Sequence, residues 1–173
     1  RKVILNLAVS LDSFIEGPDG EIDWCFTDQD YGMTEFLANI DSILFGRKSY
    51  ELILNMEKDP FPDQLKCVFS RTLKKVGGKS TLICHSAEQE VKKIINKEGK
   101  DIWLSGGSNL ICNLINADLV DEMQLVVHPL LLGKGKPLFE EIKVRTYFKR
   151  INAKTYSSGL VQLTYCKLLK KNI

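Results

Sequence analysis

No apolar run in this chain is long enough to cross a membrane, and its opening stretch, RKVILNLAVSLDSF, lacks the continuous apolar core and small-residue cleavage site of a secretory leader. A cytoplasmic location is the expectation. Net charge is also small: 24 Lys and Arg against 22 Asp and Glu leave +2 at pH 7, which gives no reason to expect nucleic acid or an anionic membrane as partner. Cysteine is present but unpatterned. Cys25, Cys67, Cys84, Cys112 and Cys166 form an odd set without a CxxC and sit in apolar runs, so they read as reduced core residues and not as a disulfide framework or zinc knuckle.

Histidine is scarcer still. His85 and His128 stand apart from any metal-ligand spacing, so no metal site is expected, and a Ser-His-Asp arrangement would have to be invented. His128-Pro129 reads as a strand end. Neither GxxxxGK[ST] nor GxGxxG occurs, and Gly133-Lys134-Gly135-Lys136, with Pro137 directly behind it, reads as a loop. Linkers, repeats and low-complexity tracts are missing as well, so residues 1–173 are expected to form one domain, long enough to bury roughly two thirds of its unfolded surface.

What the chain does have is an alternation of short apolar runs and helical periodicity. Val3 to Val9, Ser42 to Phe45, Lys66 to Ser70, Thr81 to Cys84, Ile102 to Leu104 and Glu122 to His128 read as strands. Ser13 to Glu16 is a short extension before the turn Gly17-Pro18-Asp19-Gly20. Between the strands, Asp28 is placed to cap a helix carrying Met33, Phe36, Leu37 and Ile40, and Lys48 to Leu54 forms a second helix. Ser86 and Gln89 suggest a capping box for a third, closed by Gly99, and Ser108 to Asn116 is the fourth. Two long strands near Val144 to Lys154 and Leu160 to Leu168 finish the chain. The order predicts a three-layer α/β/α fold with a mixed, mostly parallel sheet and an antiparallel C-terminal hairpin.

Two places repeat one device, a strand ending in Gly that opens a helix: Gly46-Arg47-Lys48-Ser49 and Gly106-Gly107-Ser108-Asn109-Leu110. Free backbone N–H groups and the positive helix end make such turns natural anion sites. Ser70-Arg71, at another strand end, adds a hydroxyl and a guanidinium suited to a ribose 2′-phosphate. Gly77-Gly78 precedes no helix and is read as a plain turn. Trp24 follows a Gly-rich turn and is placed either in the core or beside a ligand ring. Asp12, Asp30 and Glu35 are carboxylates able to deliver a proton, and none is singled out as the catalytic acid.

The stretches SLDSFIEGPDGEIDW, DSILFGRKSYE, VFSRT and IWLSGGSNLICNLINADLVDEMQLVVHPLLLGKGKPLF resemble the reductase domain of riboflavin biosynthesis and its dihydrofolate-reductase-fold relatives over nearly the whole chain. The resemblance implies NADPH as cofactor, with phosphates over residues 46–49 and 106–110 and the 2′-phosphate near Ser70 and Arg71. It implies the nicotinamide near Ala8, Ile15, Gly17 and Trp24. It also implies a small pyrimidine- or pteridine-like substrate and a homodimer, through the apolar stretch Leu125 to Leu132. Ala38 and Ser105 stand where the riboflavin reductases carry an Arg and a Glu that help hold a phosphoribosyl substrate. A non-catalytic, dimeric NADP-binding sensor is the rival reading.

Overall fold

A computed structural model describes residues 1–168. The chain runs β1 (Val3–Ser10), β2 (Phe14–Glu16), α1 (Met33–Ala38), β3 (Ile40–Gly46), α2 (Arg47–Leu54), β4 (Leu65–Phe69), β5 (Ser80–Ile83), α3 (Ala87–Ile95), β6 (Asp101–Gly106), α4 (Ser108–Asn116), β7 (Glu122–His128), β8 (Lys136–Pro137), β9 (Phe148–Thr155) and β10 (Val161–Lys167). Eight strands form one sheet in the order β5-β4-β3-β6-β1-β7-β10-β9. Pairing is parallel from β5 to β7, and β10 is antiparallel to both β7 and β9.

The sheet is covered on both faces at its parallel half, which is why those strands are apolar almost throughout. On one face Val3, Leu5, Leu44, Ile102 and Leu104 pack with Val91 and Ile94 of α3 and with Ile111 and Leu114 of α4. On the other, Ile4, Ile43, Phe45, Val68 and Trp103 pack with Tyr50 of α2, while Phe36 and Leu37 of α1 close over them. Each fully buried Leu or Ile contributes about 1.5–3 kcal/mol of transfer free energy. Among the described residues no helix is long and apolar enough to cross a membrane.

Several boundaries differ from the sequence reading. Ile40 opens β3 and does not belong to α1. The cap of α1 is built by Asp30, not Asp28: Asp30 accepts from Gly32 N at 3.0 Å, Thr34 N at 3.0 Å and Thr34 Oγ1 at 2.7 Å, whereas Asp28 accepts from the Tyr31 hydroxyl. Ser86 does cap α3, through Gln89 N, but that helix ends at Ile95 with Asn96 as its C-cap, before Gly99. β9 starts at Phe148, four residues later than expected. Lys136-Pro137 forms β8, an antiparallel bridge to β2, where Gly135 lies against the backbone of Glu16 too closely for a side chain. All five cysteines are free thiols, and Cys84 is exposed because it follows the edge strand β5. Leu125 to His128 runs inside the sheet between β1 and β10, with Leu125 and Val127 packed on the core, which leaves Pro129 and Leu131 as the exposed residues of the Leu125 to Leu132 stretch.

Lys66 is buried at 3% exposure, and its ammonium donates to Asp59 Oδ2 at 2.8 Å and Phe61 O at 2.6 Å. That pair straps the Asp59-Pro60-Phe61-Pro62 segment down, so that Phe61 meets Trp103 edge-on at 5.0 Å. Asp59 is half exposed, so solvent screens the pair. Asp59→Ala, which strands the buried ammonium, is expected to cost about 1–3 kcal/mol in denaturant unfolding, and Lys66→Met, which keeps the packed stem, is expected to cost less. The reverse ranking would contradict this account of the strap.

Candidate functional site

The carboxyl ends of β4, β3 and β6 lie side by side, and there the three polar corners of the sequence gather. Phe45 pairs with Gly106, which sets Gly46 directly against the next peptide. A Cβ on Gly46 would stand 3.0 Å from Gly107 N and 3.4 Å from Gly106 O, closer than side chains ordinarily approach. Gly106 has φ +124, a conformation that L side chains rarely adopt, and its bond to Gly107 is cis. Ser49 Oγ lies 3.7–3.8 Å from where Cβ atoms on Gly106 and Gly107 would be. The two strand-to-helix corners therefore touch.

Both helices that start here are uncapped. Gly46 and Gly107 are the N-caps of α2 and α4, neither supplies a side-chain hydrogen bond, and neither first turn holds an acidic residue. α3, which follows the next strand outward, has the opposite character: Ser86 caps it and Glu88 and Glu90 neutralise its first turn. Two adjacent helix starts with unneutralised N–H groups concentrate partial positive charge on one small surface.

The side chains at these corners divide. Arg47 Nη1 donates to both carboxylate oxygens of Glu51, at 2.8 and 3.0 Å, along the exposed flank of α2. Lys48 is exposed and Ser49 half-buried. Ser108 turns its hydroxyl inward to Leu138 O at 3.0 Å, Leu110 is in the core, and the Asn109 amide accepts from Asn113. At these three positions the side chains are engaged within the protein, which leaves the first-turn backbone N–H groups as the free polar atoms. Ser70 Oγ accepts from Thr72 N and Leu73 N and so holds its own turn, while the exposed Arg71 pairs with no carboxylate among the described residues.

A crevice opens beside them. β1 pairs with β6 only from Val3 to Leu5, yet with β7 as far as Ser10. Alternate residues of a parallel strand direct both backbone groups to the same side. On the β6 side Lys2 O accepts from Ile102 N, and Asn6 O accepts from Trp103 Nε1 at 2.8 Å. Ala8 is the next residue in that series, past the last β6 pair, so its N–H and C=O point into the gap toward Gly106. Ile15 packs at the core margin, and Gly17 closes the following turn, its N–H donating to Glu21 O at 3.0 Å.

Trp24 and Phe26 both meet the His128 ring edge-on, with centroids 5.3 and 5.0 Å away. Phe26 N donates to His128 Nε2 at 3.1 Å, so the proton is on Nδ1, which donates to Val126 O at 3.0 Å. Burial holds His128 below its ordinary pKa, partly offset by the Val126 bond. The Trp24 indole N–H is enclosed without an acceptor. A second clasp, which the sequence reading missed, is Asp12: it accepts from Ser10 Oγ at 2.6 Å, Leu132 N at 3.1 Å and Gly133 N at 2.7 Å, tying the β7–β8 loop to the end of β1. The Ser10 hydroxyl first, then the two loop amides, hold Asp12 below the carboxylate range despite some desolvation. Asp30 is lowered by Thr34. Glu35 is exposed on α1.

A hollow of about 410 Å³ at the opposite edge, by Ile40, Asp41, Gln64 and Lys100, shares none of these groups. No group of three potential metal ligands occurs among the described residues.

This strand order, with helices on both faces and a crevice at the carboxyl edge, defines the dihydrofolate-reductase-like class of α/β proteins. The model of the RibD C-terminal domain matches residues 1–162, and the chain belongs to that family of reductase-like domains. It is 46% identical over 177 residues to the uncharacterized protein YyaP of Bacillus subtilis (strain 168), covering 95% of this chain and 94% of that protein. It is 31% identical over 172 residues to YwjB of the same organism, covering 96% and 98%. Among solved structures, a putative riboflavin biosynthesis protein from Shewanella sp. PV-4 superposes with TM-score 0.88 at 26% identity, covering 98% of this chain and all of that one. A pyrimidine reductase-like protein from Corynebacterium diphtheriae, at TM-score 0.74 and 10% identity over 98% of this chain and 92% of that one, shares the fold.

The His128 clasp gives a pH test. Its lowered pKa means that the unfolded chain binds the proton more readily, so the stability His128 contributes is complete above the unfolded value of about pH 6.5 and is lost as pH falls from there through the lower native value. Thermal unfolding of the native chain is expected to decline more steeply between about pH 7 and 5 than that of His128→Gln, whose amide also accepts from Phe26 N. Parallel profiles would contradict the neutral clasp.

Proposed function

We propose that this chain is an NADPH-dependent reductase that transfers hydride to a small planar heterocycle of pyrimidine or pteridine type. The observation that carries the reading is the junction at Gly46 and Gly107, where two acid-free helix starts without side-chain caps meet backbone to backbone. A diphosphate fits such a surface in charge and in hydrogen-bonding type. Arg71, unpaired with any carboxylate among the described residues, suits a 2′-phosphate, and the N–H and C=O of Ala8 complement a carboxamide, which has one donor and one acceptor. Membership of a reductase-like family supports the same conclusion.

When bound, NADPH supplies the hydride; the protein supplies orientation and exclusion of water. Asp12 and Asp30 are both held ionised, so neither carries a proton to give. That observation also favours a second reading, a non-catalytic NADP-binding sensor, which would bind NADPH without passing its hydride to any acceptor. NADPH consumption with a panel of pteridines, aminouracils and quinones separates the two.

Titration with NADPH and NADH tests the cofactor directly. Tighter binding of NADPH is expected, and Arg71→Ala is expected to reduce that preference by about 1–3 kcal/mol, the loss of a charged hydrogen-bond partner. Equal affinity of the native chain for both dinucleotides would contradict the assignment.

A further inference from the structure

On the sheet face that carries α1 and α2, β1 and β7 place Asn6 opposite Gln124 and Ala8 opposite Val126. A polar pair here interrupts a buried strand, and it continues along the sheet. Asn6 Nδ2 donates to Gln124 Oε1 at 3.1 Å, Gln124 Nε2 donates to Glu122 Oε1 at 2.9 Å, and Lys2 Nζ lies 3.5 Å from Glu122 Oε2.

One charge sets the direction of the whole row. A carboxylate only accepts, so Gln124 must present its NH₂ to Glu122 and its carbonyl to Asn6. Asn6 must then present its own NH₂ to Gln124, which leaves Oδ1 pointing away from the row. Each amide polarises the next, so the terminal oxygen is a stronger acceptor than that of an isolated carboxamide. Asn6 Oδ1 accepts from no described residue. It is not enclosed either, since the enclosed partnerless side-chain atom among the described residues is Trp24 Nε1. Asn6 lies two residues before Ala8 on the same face, next to the Trp103 indole that holds its backbone oxygen.

We infer that Asn6 Oδ1 is a specificity-determining acceptor, which selects ligands presenting a ring N–H and rejects those carrying a bare nitrogen or an N-alkyl group at that point. The inference rests on the reading that the crevice beside Ala8 takes a planar ligand. A site built to receive a donor discriminates strongly, because a ligand without the donor leaves the buried acceptor unpaired. Glu122 and Gln124 act through Asn6 as positioning residues.

The test is calorimetric binding of quinazoline-2,4-dione and its 1,3-dimethyl derivative, with and without NADPH. The native chain is expected to favour the N–H lactam by at least about tenfold. Asn6→Leu, similar in volume and lacking the acceptor, is expected to bring the two ligands to within about threefold. Glu122→Gln keeps the side-chain shape but lets the amide row reverse, and is expected to narrow the preference as well. Equal affinities in the native chain, binding of neither lactam, or a preference unchanged in Asn6→Leu or Glu122→Gln would overturn the inference. Should Asn6→Leu fail to fold, Glu122→Gln decides it. NADPH titration of the same samples reads the cofactor assignment separately: discrimination between lactams without NADPH binding would sink that assignment and leave this one standing.

Discussion

The two strand-to-helix corners touch because position 46 carries no side chain, and the contact of Gly46 with Gly106-Gly107 is the constraint on which the candidate site depends. A methyl group at 46 would sit 3.0 Å from the Gly107 nitrogen and force β3 and β6 apart at their carboxyl ends. Its absence brings the first turns of α2 and α4 together, so that two partial positive charges share one small surface. The same contact explains the missing side-chain cap of α2. A Ser or Asp at position 46 would cap its helix, as Ser86 caps α3, but its Cβ would crowd the Gly107 nitrogen.

β1 links this surface to the rest of the crevice. It leaves β6 after Leu5 and stays with β7 to Ser10, so one of its edges is presented to the gap while the other remains hydrogen-bonded. The segments around that edge are held by side-chain acceptors: Asp12 fastens residues 132 and 133, and the buried His128 fastens Phe26. These side chains are structural fasteners for loops, and their protonation states follow from that work. A carboxylate accepting three hydrogen bonds stays ionised, and an imidazole accepting one in a buried place stays neutral.

Much of the architecture was legible in the sequence because strands buried on both faces leave dense apolar runs, as in ILF at 43–45 and IWL at 102–104. The glycine corners were legible for the same reason, since Gly at a strand end before a helix has few other uses. The errors fall where local alternatives compete. Asp28 and Asp30 both lie ahead of α1, and only the αL conformation of Gly32 decides which carboxylate reaches the first turn. Val144 to Tyr147 has the β-branched and aromatic residues of a strand, but pairing with β10 extends only to Phe148 opposite Lys167. Arg47 with Glu51 could have been read as a helical i, i+4 pair, which lessens the phosphate role of that Arg. The Asn6, Gln124 and Glu122 row could not be read at all. Its signal was a lone Asn inside VILNLAV, and its meaning depends on the register of two strands 118 residues apart.

The central claim concerns where a dinucleotide diphosphate would lie, and backbone amide shifts during NADP⁺ titration of the ¹⁵N-labelled chain test it most directly. The account predicts that the largest movements fall on the amides of residues 47–49 and 107–110, with Ala8 following. Shifts concentrated instead around Ile40, Asp41, Gln64 and Lys100, at the amino ends of the strands, would contradict it.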